Sequence, residues 1–251
     1  MKKRIRFWIG IAAIAVLSAN AGVLEAAEET AFAQANQAYG EGRFQEAADG
    51  YQSLIDSGRR NANLFYDLGN AWFRLGDFGK SILNYERALA LDAHHPEAEA
   101  NLRLARDEAR ALELKKNSIE KYLYTGTETQ YSIAAAIGFW FAVFGAARLF
   151  FSLRRSAGRL VFFALALVIF GGAAFALYTM ENGARGRDLA IVTGKDIEAR
   201  LATADSASSI LALPPGSEIK VLSERGDWIY AALPNDLHGW IPAKSAERVR
   251  L

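Results

Sequence analysis

The fold of this chain is organised around the stretch from Tyr131 to Met180, which reads YSIAAAIGFWFAVFGAARLFFSLRRSAGRLVFFALALVIFGGAAFALYTM. It contains two runs without a charged residue, Tyr131 to Ala147 and Leu160 to Met180. At a rise of about 1.5 Å per residue, the second run alone covers roughly 30 Å, the thickness of the hydrocarbon core of a bilayer. The stretch therefore predicts a transmembrane hairpin, with helices at 131–153 and 160–180.

The segment between the two apolar runs is basic. It carries four arginines and no acidic residue: Arg148, Arg154, Arg155 and Arg159. Short loops rich in Lys and Arg stay in the cytoplasm. We therefore expect residues 154–159 to form a cytoplasmic loop, with both soluble parts on the far side of the membrane.

The amino terminus has the pattern of a secretory signal. A basic segment over residues 1–6 precedes the apolar run from Phe7 to Leu17, and Ala19-Asn20-Ala21 offers the small residues that a signal peptidase recognises. We expect a signal peptide over residues 1–21, cleaved before Gly22. Cleavage with Ala26 or Ala27 as the last removed residue is one alternative, and retention as an uncleaved anchor is the other.

Small residues recur along both predicted spans. They are Ala134, Gly138, Ala142 and Ala146 in the first, and Ala164, Gly172 and Ala176 in the second. Such stripes let transmembrane helices approach closely, so the two spans are expected to pack against each other. The span cores carry no Asp, Glu, Lys or His, which argues against an ion or proton path.

The residues after the predicted signal repeat with a period of 34. The matched pairs are Ala35 and Gly69, Tyr39 and Phe73, Gly42 and Gly76, Phe44 and Phe78, Ala47 and Ser81, and Tyr51 and Tyr85. This period is typical of tetratricopeptide repeats, and the second copy, from Leu68 to Asp92, resembles that family along its whole length. The pattern predicts an all-α repeat domain over residues 28–122.

A third copy begins near Pro96, but only its first helix is recognisable. About two and a half repeats are fewer than a stable stack usually requires. We expect a helix from Glu97 to about Tyr122 to cap the stack; the alternative is that a partner completes it.

The resemblance to tetratricopeptide repeats implies a concave face lined by the first helix of each repeat. On that face it places Phe32, Asn36, Tyr39, Tyr66, Asn70 and Phe73. An extended peptide or a partner helix is the expected guest. Family members that clamp chaperone carboxylates have a Lys where this chain has Phe32 and Tyr66, so that specificity is not expected.

The residues after the hairpin change to a strand pattern. Five short strands are predicted, at Ala190–Val192, Ser209–Leu213, Glu218–Leu222, Trp228–Leu233 and Gly239–Pro242. The motifs Gly226-Asp227-Trp228 and Gly239-Trp240-Ile241-Pro242 resemble the bacterial SH3 (SH3b) domain over residues 188–251. The Gly-Pro stretch that relatives carry after a strand arginine is absent after Arg200, so that loop is expected to differ.

The SH3b resemblance implies a small barrel that binds cell-wall or protein peptides. Trp228, Tyr230 and Trp240 are the residues expected to line its ligand face. Burial in the barrel is the alternative explanation for both tryptophans.

Other function classes find little support in the composition. The formal net charge is +1 without a clustered basic face, so nucleic acid is not an expected partner. The chain has no cysteine and three histidines, of which His94 and His95 are adjacent and His238 is expected in a turn. No phosphate-binding glycine loop or nucleophile motif is present. We expect no metal, no cofactor and no enzymatic activity.

The order of these parts predicts a multidomain membrane protein with an all-α repeat domain, a two-helix hairpin and a small all-β SH3-like barrel. It resembles the BatE-like proteins of Bacteroides aerotolerance operons. That resemblance implies a scaffold for an envelope stress-tolerance complex, with membrane proteins carrying von Willebrand factor A domains as partners. The alternative is a sensor that binds peptidoglycan through the SH3b domain.

Overall fold

The computed structural model of this chain describes residues 29–115, 118–151, 157–184 and 186–250. The predicted signal peptide lies outside these ranges, as do Arg154 and Arg155 of the predicted cytoplasmic loop. The chain divides into two compact units, Met1–Glu108 and Ala109–Leu251.

The first unit consists of paired helices. They are α1 over residues 29–40, α2 at Phe44–Asp56, α3 at Ala62–Arg74, α4 at Phe78–Leu91 and α5 at Pro96–Ala109. Gly42 and Gly76 turn the chain within each pair with φ of 80° and 76°, a backbone region that favours glycine. Asn61 and Asp77 cap α3 and α4 by accepting hydrogen bonds from backbone N–H groups.

The core of this unit lies between the paired helices. Its largest fully buried side chains include Leu64, Phe65, Leu68, Ile82, Leu83 and Tyr85. Gly69 lets α3 approach α4, because a Cβ at this position would lie 2.7 Å from Cδ1 of Tyr85. In the first pair the close approach uses Gly50 on the second helix instead, where a Cβ would lie 3.0 Å from Cβ of Ala35.

The predicted capping helix from Glu97 to Tyr122 is wrong in its length. Helix α5 ends at Ala109, and Arg110 takes a positive φ of 52°, a conformation typical of helix termination. Residues 111–115 are not helical, and a separate short helix, α6, spans Ser118–Leu123. The helix stops because the backbone after it makes hydrogen bonds within the second unit.

The hairpin of the second unit comprises α7 at Glu128–Phe151 and α8 at Ala157–Asn182. Both helices are long and apolar enough to cross a membrane. Their bounds lie within three residues of the predicted ones, 131–153 and 160–180. The two helices pack against each other along their length.

The faces through which α7 and α8 pack agree with the predicted small-residue stripes only at Gly138, Ala142 and Ala176. The buried residues are Gly138, Ala142 and Gly145 on α7, and Ala166, Ala173, Ala176 and Met180 on α8. Ala146, Ala164 and Gly172 are exposed instead. A strict spacing of four drifts around a helix with 3.6 residues per turn, so the contact passes to Gly145. A Cβ at Gly138 would lie 2.7 Å from the backbone nitrogen of Phe170, so the helices are in close contact there.

The carboxyl-terminal part of the second unit is an antiparallel sheet. Its strands are β1 Leu189–Val192, β2 Ile197–Arg200, β3 Ser209–Leu213, β4 Glu218–Arg225, β5 Trp228–Ala232, β6 His238–Pro242 and β7 Ala246–Arg248. Their order in the sheet is β3-β2-β6-β5-β4-β1-β7. Strands β2 and β7 were absent from the prediction, and they are only four and three residues long. Pairing with β3 and with β1, respectively, makes them strands.

One arginine shapes the loop after β2, where the SH3b-like Gly-Pro stretch is missing. The guanidinium of Arg200 donates to the carbonyl oxygens of Asp205 and Ala207 at 2.5 and 2.9 Å. The loop is therefore closed over an arginine side chain at the end of the strand.

The segment before the hairpin is bound to this sheet. The backbone N–H of Glu218 donates to the Leu112 carbonyl at 2.8 Å, and the Leu114 N–H donates to the Glu218 carboxylate at 2.9 Å. Leu112 also packs against the hydrophobic core of the sheet. Since Glu218 is fully buried, these hydrogen bonds satisfy groups that have lost their water.

The sheet lies at one end of the hairpin. Arg250 bridges Glu128 at the start of α7 and Glu181 near the end of α8, at 3.9 and 3.5 Å. The Lys220 ammonium donates to the carbonyl of Asn182. Arg148 and Arg159 lie at the other end, where α7 ends and α8 begins.

Candidate functional site

The six residues predicted for partner binding lie on the first helices of the two repeats, α1 and α3. The Phe32 ring lies 6.0 Å from that of Tyr51, and the Tyr66 ring lies 6.1 Å from that of Tyr85, measured between centroids. The other aromatic pairs of this kind are Tyr39 with Phe44 at 5.3 Å and Phe73 with Phe78 at 5.5 Å. Each ring is thus held by the second helix of its own repeat while remaining partly exposed.

The two predicted asparagines are oriented in the same way. The Tyr51 hydroxyl donates to Oδ1 of Asn36 at 2.7 Å, and the Tyr85 hydroxyl donates to Oδ1 of Asn70 at 2.7 Å. Burial of both phenols raises their pKa, so they stay protonated donors. Asn101 of α5 adds a second hydrogen bond to Oδ1 of Asn70 at 2.9 Å.

A cavity of about 510 Å³ opens beside these residues. It is lined by Phe32, Asn63, Tyr66, Asp67, Asp92, His95, Pro96 and Glu97. Only Phe32 and Tyr66 of the predicted set contribute to it, whereas Asn36, Tyr39, Asn70 and Phe73 do not line this cavity. We call these eight lining residues the groove.

His95 fixes one wall of the groove. Its ring stacks on Tyr66 with a centroid distance of 5.0 Å, Nε2 donates to Oδ1 of Asn63 at 3.2 Å, and Nδ1 accepts from the Ala98 N–H at 3.3 Å. Nδ1 also lies 3.2 Å from a carboxylate oxygen of Glu97. These contacts of the His95 side chain join α3 to the start of α5.

Asp67 is the partly buried carboxylate of the groove. Burial raises its pKa to about 6, against the ordinary value of 3.8, and nearby His95 offsets a part of this shift. Among the described residues it makes no hydrogen bond or ion pair, and Asp92 and Glu97 are exposed by comparison. The groove thus contains a carboxylate that has lost contact with water without gaining a hydrogen bond or ion pair among the described residues.

The sequence contained a signal for the residues that were missed on α3. The missed residues are Asn63 and Asp67, which recur with the predicted Asn70 at spacings of four and three and so share the polar face that also carries Tyr66. No comparable signal exists for Asp92 and His95, which lie in the turn after α4 and reach the groove only through the fold.

A second group of aromatic residues lies on the sheet. Tyr230 of β5 is directly opposite Trp240 of β6 with rings 5.1 Å apart, and the His238 ring stacks on Tyr230 at 6.1 Å. These side chains alternate with the buried Ile229 and Ile241 along their strands, so they lie on the face opposite the core.

Trp228 shares that face with Tyr230 and Trp240. All three predicted ligand residues are partly exposed, which argues against full burial in the core as the explanation for the tryptophans. His238 begins β6 and does not lie in a turn as expected.

Two of the predicted topology residues lie together. Arg148 and Arg159 line one cavity of about 450 Å³ at the end of the hairpin, together with phenylalanines of both helices.

Within the described ranges, no three His, Asp or Glu side chains are grouped closely enough to hold a metal ion.

Comparison with known proteins identifies one part of the chain. The tetratricopeptide repeat family matches residues 62–95, which comprise α3, α4 and the turn that ends at His95. No curated protein matches the sequence. Residues 62–95 are therefore a tetratricopeptide repeat, a module of protein–protein interaction, and the paired helices α1 and α2 repeat its ring contacts and its tyrosine–asparagine bond.

Proposed function

We propose that this chain is a non-enzymatic, membrane-anchored scaffold that holds a protein partner in the groove of its helical repeats. The observation that carries this proposal is the cavity of about 510 Å³ lined by aromatic and polar side chains of a tetratricopeptide repeat. An extended peptide fits such a site because aromatic rings bury its side chains while polar groups bind its backbone.

The asparagines supply the backbone contacts in this proposal. Their Oδ1 atoms accept from Tyr51 and Tyr85, and Nδ2 of Asn36 and of Asn70 makes no hydrogen bond among the described residues. Two amide donors held at equivalent places of successive repeats suit the carbonyl groups of an extended chain.

Membrane anchoring by α7 and α8 is supported by what covers their surfaces. Large apolar side chains are exposed all around the hairpin, including Phe144 at 61 % and Val168 at 70 %. Such a surface is unfavourable in water and favourable in lipid. The helices satisfy their own backbone hydrogen bonds, as a membrane span requires.

The orientation follows from charge. Arg148 and Arg159 mark the end of the hairpin opposite the sheet, so the positive-inside rule puts the sheet outside the cytoplasm. We extend this to the repeats, which precede α7, and to the bacterial inner membrane. An alkaline phosphatase fused after residue 251 is expected to be active, and an inactive fusion that becomes active when moved to the α7–α8 turn would reverse the orientation.

The sheet is proposed to be an SH3b domain and a second contact for partners close to the bilayer. The resemblance to BatE-like proteins suggests assembly of an envelope stress or aerotolerance complex with von Willebrand factor A partners. This context rests on the resemblance and on the arrangement of the parts.

Crosslinking in cells tests the scaffold. The full chain is captured through a carboxyl-terminal tag. The proteins that copurify with the wild type are then compared with those that copurify with the double variant Tyr66→Ala/Asn70→Ala. Stoichiometric membrane proteins that are lost with the double variant support the groove. Tyr122→Ala, which removes a tyrosine exposed at 79 %, is the control. Equal recovery by the double variant would exclude the groove as the partner site.

The exposed aromatic face on the sheet favours one second candidate, a peptidoglycan-binding sensor. Rings such as Tyr230 and Trp240 stack well on sugar and peptide planes. The test sediments the full chain, in detergent, with purified sacculi and compares three proteins: the wild type, Tyr230→Ala/Trp240→Ala and Tyr122→Ala. Loss of cosedimentation in the double variant alone supports the sensor. Equal amounts of all three proteins in the pellet would contradict it.

A further inference from the structure

The groove is lined by acidic side chains. Three carboxylates line it, from Asp67, Asp92 and Glu97, and none of its lining residues is Lys or Arg. The remaining walls include the rings of Phe32 and Tyr66, which favour an apolar stem beside them; Arg59 already lies 5.6 Å from the centroid of Phe32, and His95 stacks on Tyr66. Both the charge and the aromatic lining therefore suit a long basic side chain.

Among these carboxylates, Asp67 is the one with unused binding capacity inside the groove. Asp92 accepts from the backbone N–H of His94 at 3.0 Å, and Glu97 lies 3.2 Å from Nδ1 of His95 and is otherwise largely exposed. Asp67 is partly buried and makes no hydrogen bond or ion pair in the described part of the chain. A cation in the groove would replace the hydrogen bonds to water that the Asp67 carboxylate loses on folding.

The nature of this cation is limited by the geometry. Since no three acidic or histidine side chains in the described part of the chain are grouped to hold a metal ion, the carboxylates do not form a metal site. The cavity of about 510 Å³ has room for a whole side chain with its flanking backbone. Acidic segments are disfavoured, because each would place like charges opposite Asp67.

We propose that the groove binds an extended segment of a protein partner through a Lys or Arg side chain, whose cationic head pairs with Asp67 while its stem packs between Phe32 and Tyr66. This inference rests on the proposed function of the groove and specifies its ligand. Asp67 is the residue that selects the side chain. Asn36 and Asn70 lie outside the groove, one helical turn from Phe32 and Tyr66, and bind the backbone where the same segment continues beyond it.

The test uses the full chain in detergent micelles and fluorescent peptide pools with blocked ends. The pools have random sequence except for one central residue, which is Lys, Arg, norleucine or Glu. We expect the Lys and Arg pools to bind about tenfold more tightly than the norleucine pool, the change that one charge-assisted hydrogen bond brings. The Glu pool is expected to bind most weakly.

Asp67→Asn keeps the size of the side chain and removes its charge, so it should abolish the preference for Lys and Arg. Asp49→Asn is the matched control, since Asp49 is exposed on α2 and does not line the groove. The wild-type preference should also decline as the pH falls below about 6, where Asp67 becomes protonated. The other acidic and histidine side chains that face the groove are Asp92, Glu97 and His95, and the pH profile of Asp67→Asn isolates the part that belongs to Asp67.

The results separate this inference from the function on which it rests. Equal binding of all four pools, lost in Tyr66→Ala, would overturn the selection of a cation and leave the peptide groove standing. Preference for Lys that persists in Asp67→Asn would overturn the role of Asp67. Absence of binding by every pool, together with partner capture in cells that is insensitive to Tyr66→Ala/Asn70→Ala, would overturn both.

Discussion

The hydroxyl of Tyr85 donates a hydrogen bond to Oδ1 of Asn70 at 2.7 Å, and Tyr51 makes the same bond to Asn36 at the same distance. Both pairs are 15 residues apart, and the second pair follows the first by one period of the repeat. A residue predicted for partner binding is thus fixed by a tyrosine of the core. In each repeat, the same hydrogen bond stabilises the packing of the two helices and fixes the orientation of an asparagine beside the groove.

Replacing that phenol tests the link. Tyr85→Phe keeps the ring and removes the donor, so we expect the free energy of opening of α3 and α4 to fall by about 1 kcal/mol. Amide hydrogen exchange of these helices in the full chain measures it. Tyr122→Phe, at an exposed tyrosine, should change exchange by less than the error. Unchanged protection in Tyr85→Phe would mean that water replaces the bond without cost.

Gly69 is predicted to tolerate no larger residue. The Cβ of Gly69→Ala would lie 2.7 Å from two ring carbons of Tyr85, so α3 and α4 must separate, at a cost of about 1–3 kcal/mol. Gly40→Ala is the control, since no atom lies within 4 Å of its Cβ. Thermal unfolding of the helical signal should show a lower Tm for the first variant only; equal Tm values would contradict the close contact.

The buried ion pair between α4 and α5 gives a third prediction. Arg106 contacts Glu86 at 2.5 Å, with side chains only 9 % and 4 % exposed. Glu86→Ala leaves a buried guanidinium without this partner, and we expect a loss of about 3–5 kcal/mol in stability. Glu99→Ala breaks the exposed pair with Arg103 and should cost less than about 0.5 kcal/mol. Proteolysis within α5 reports both, and equal cleavage of the two variants would refute a structural role for the buried pair.

The raised pKa of Asp67 predicts how stability of the repeats changes with pH. Its folded-state pKa of about 6 exceeds the ordinary value of 3.8, so the folded chain holds this proton more tightly than the unfolded chain. The contribution is therefore favourable below pH 3.8, is lost as the pH rises from 3.8 to about 6, and is constant above that.

Asp67→Asn removes this titration. After allowance for the partial exposure of the group, we expect the variant to be more stable than the wild type at neutral pH by about 1 kcal/mol. Asp49→Asn should follow the wild-type curve throughout. Hydrogen exchange of α3 as a function of pH measures both, and a wild-type curve parallel to that of Asp67→Asn would contradict the burial of a charge at this site.

The segment before the hairpin gives the fifth prediction. Leu112→Asp would place a charge against the core of the sheet and weaken the backbone bonds to Glu218, so residues 110–115 should detach. Trypsin then cleaves after Arg110 and Lys115 at least about tenfold faster than in the wild type. Glu113→Asp, at an exposed position, is the control. Identical cleavage of Leu112→Asp and wild type would show that the segment is not held by the sheet.

Local pattern was sufficient for much of this architecture. The period of 34 predicted the paired helices α1 to α4, because each repeat recovers the same core contacts from the same spacing of small and aromatic residues. The two apolar runs predicted α7 and α8, since length and hydropathy alone determine whether a helix suits a membrane. Short strand-like runs bounded by turn residues predicted β1, β3, β4, β5 and β6, and the resemblance to SH3b domains predicted a ligand face with Tyr230 and Trp240.

Features that depend on long-range contacts were decided by the tertiary structure. Asp92 and His95 reach the groove through the turn after α4, and Leu112 makes hydrogen bonds with residues more than a hundred positions later in the chain. Ala166 and Ala173 pack in the hairpin where Ala164 and Gly172 were expected, because the rotation of a helix is set by its neighbour. The sequence by itself determined which segments are paired helices, long apolar helices and most of the strands, since those depend on residues near each other in the chain. Only the fold determined which side chains meet, and so made a partly buried carboxylate the centre of the candidate site.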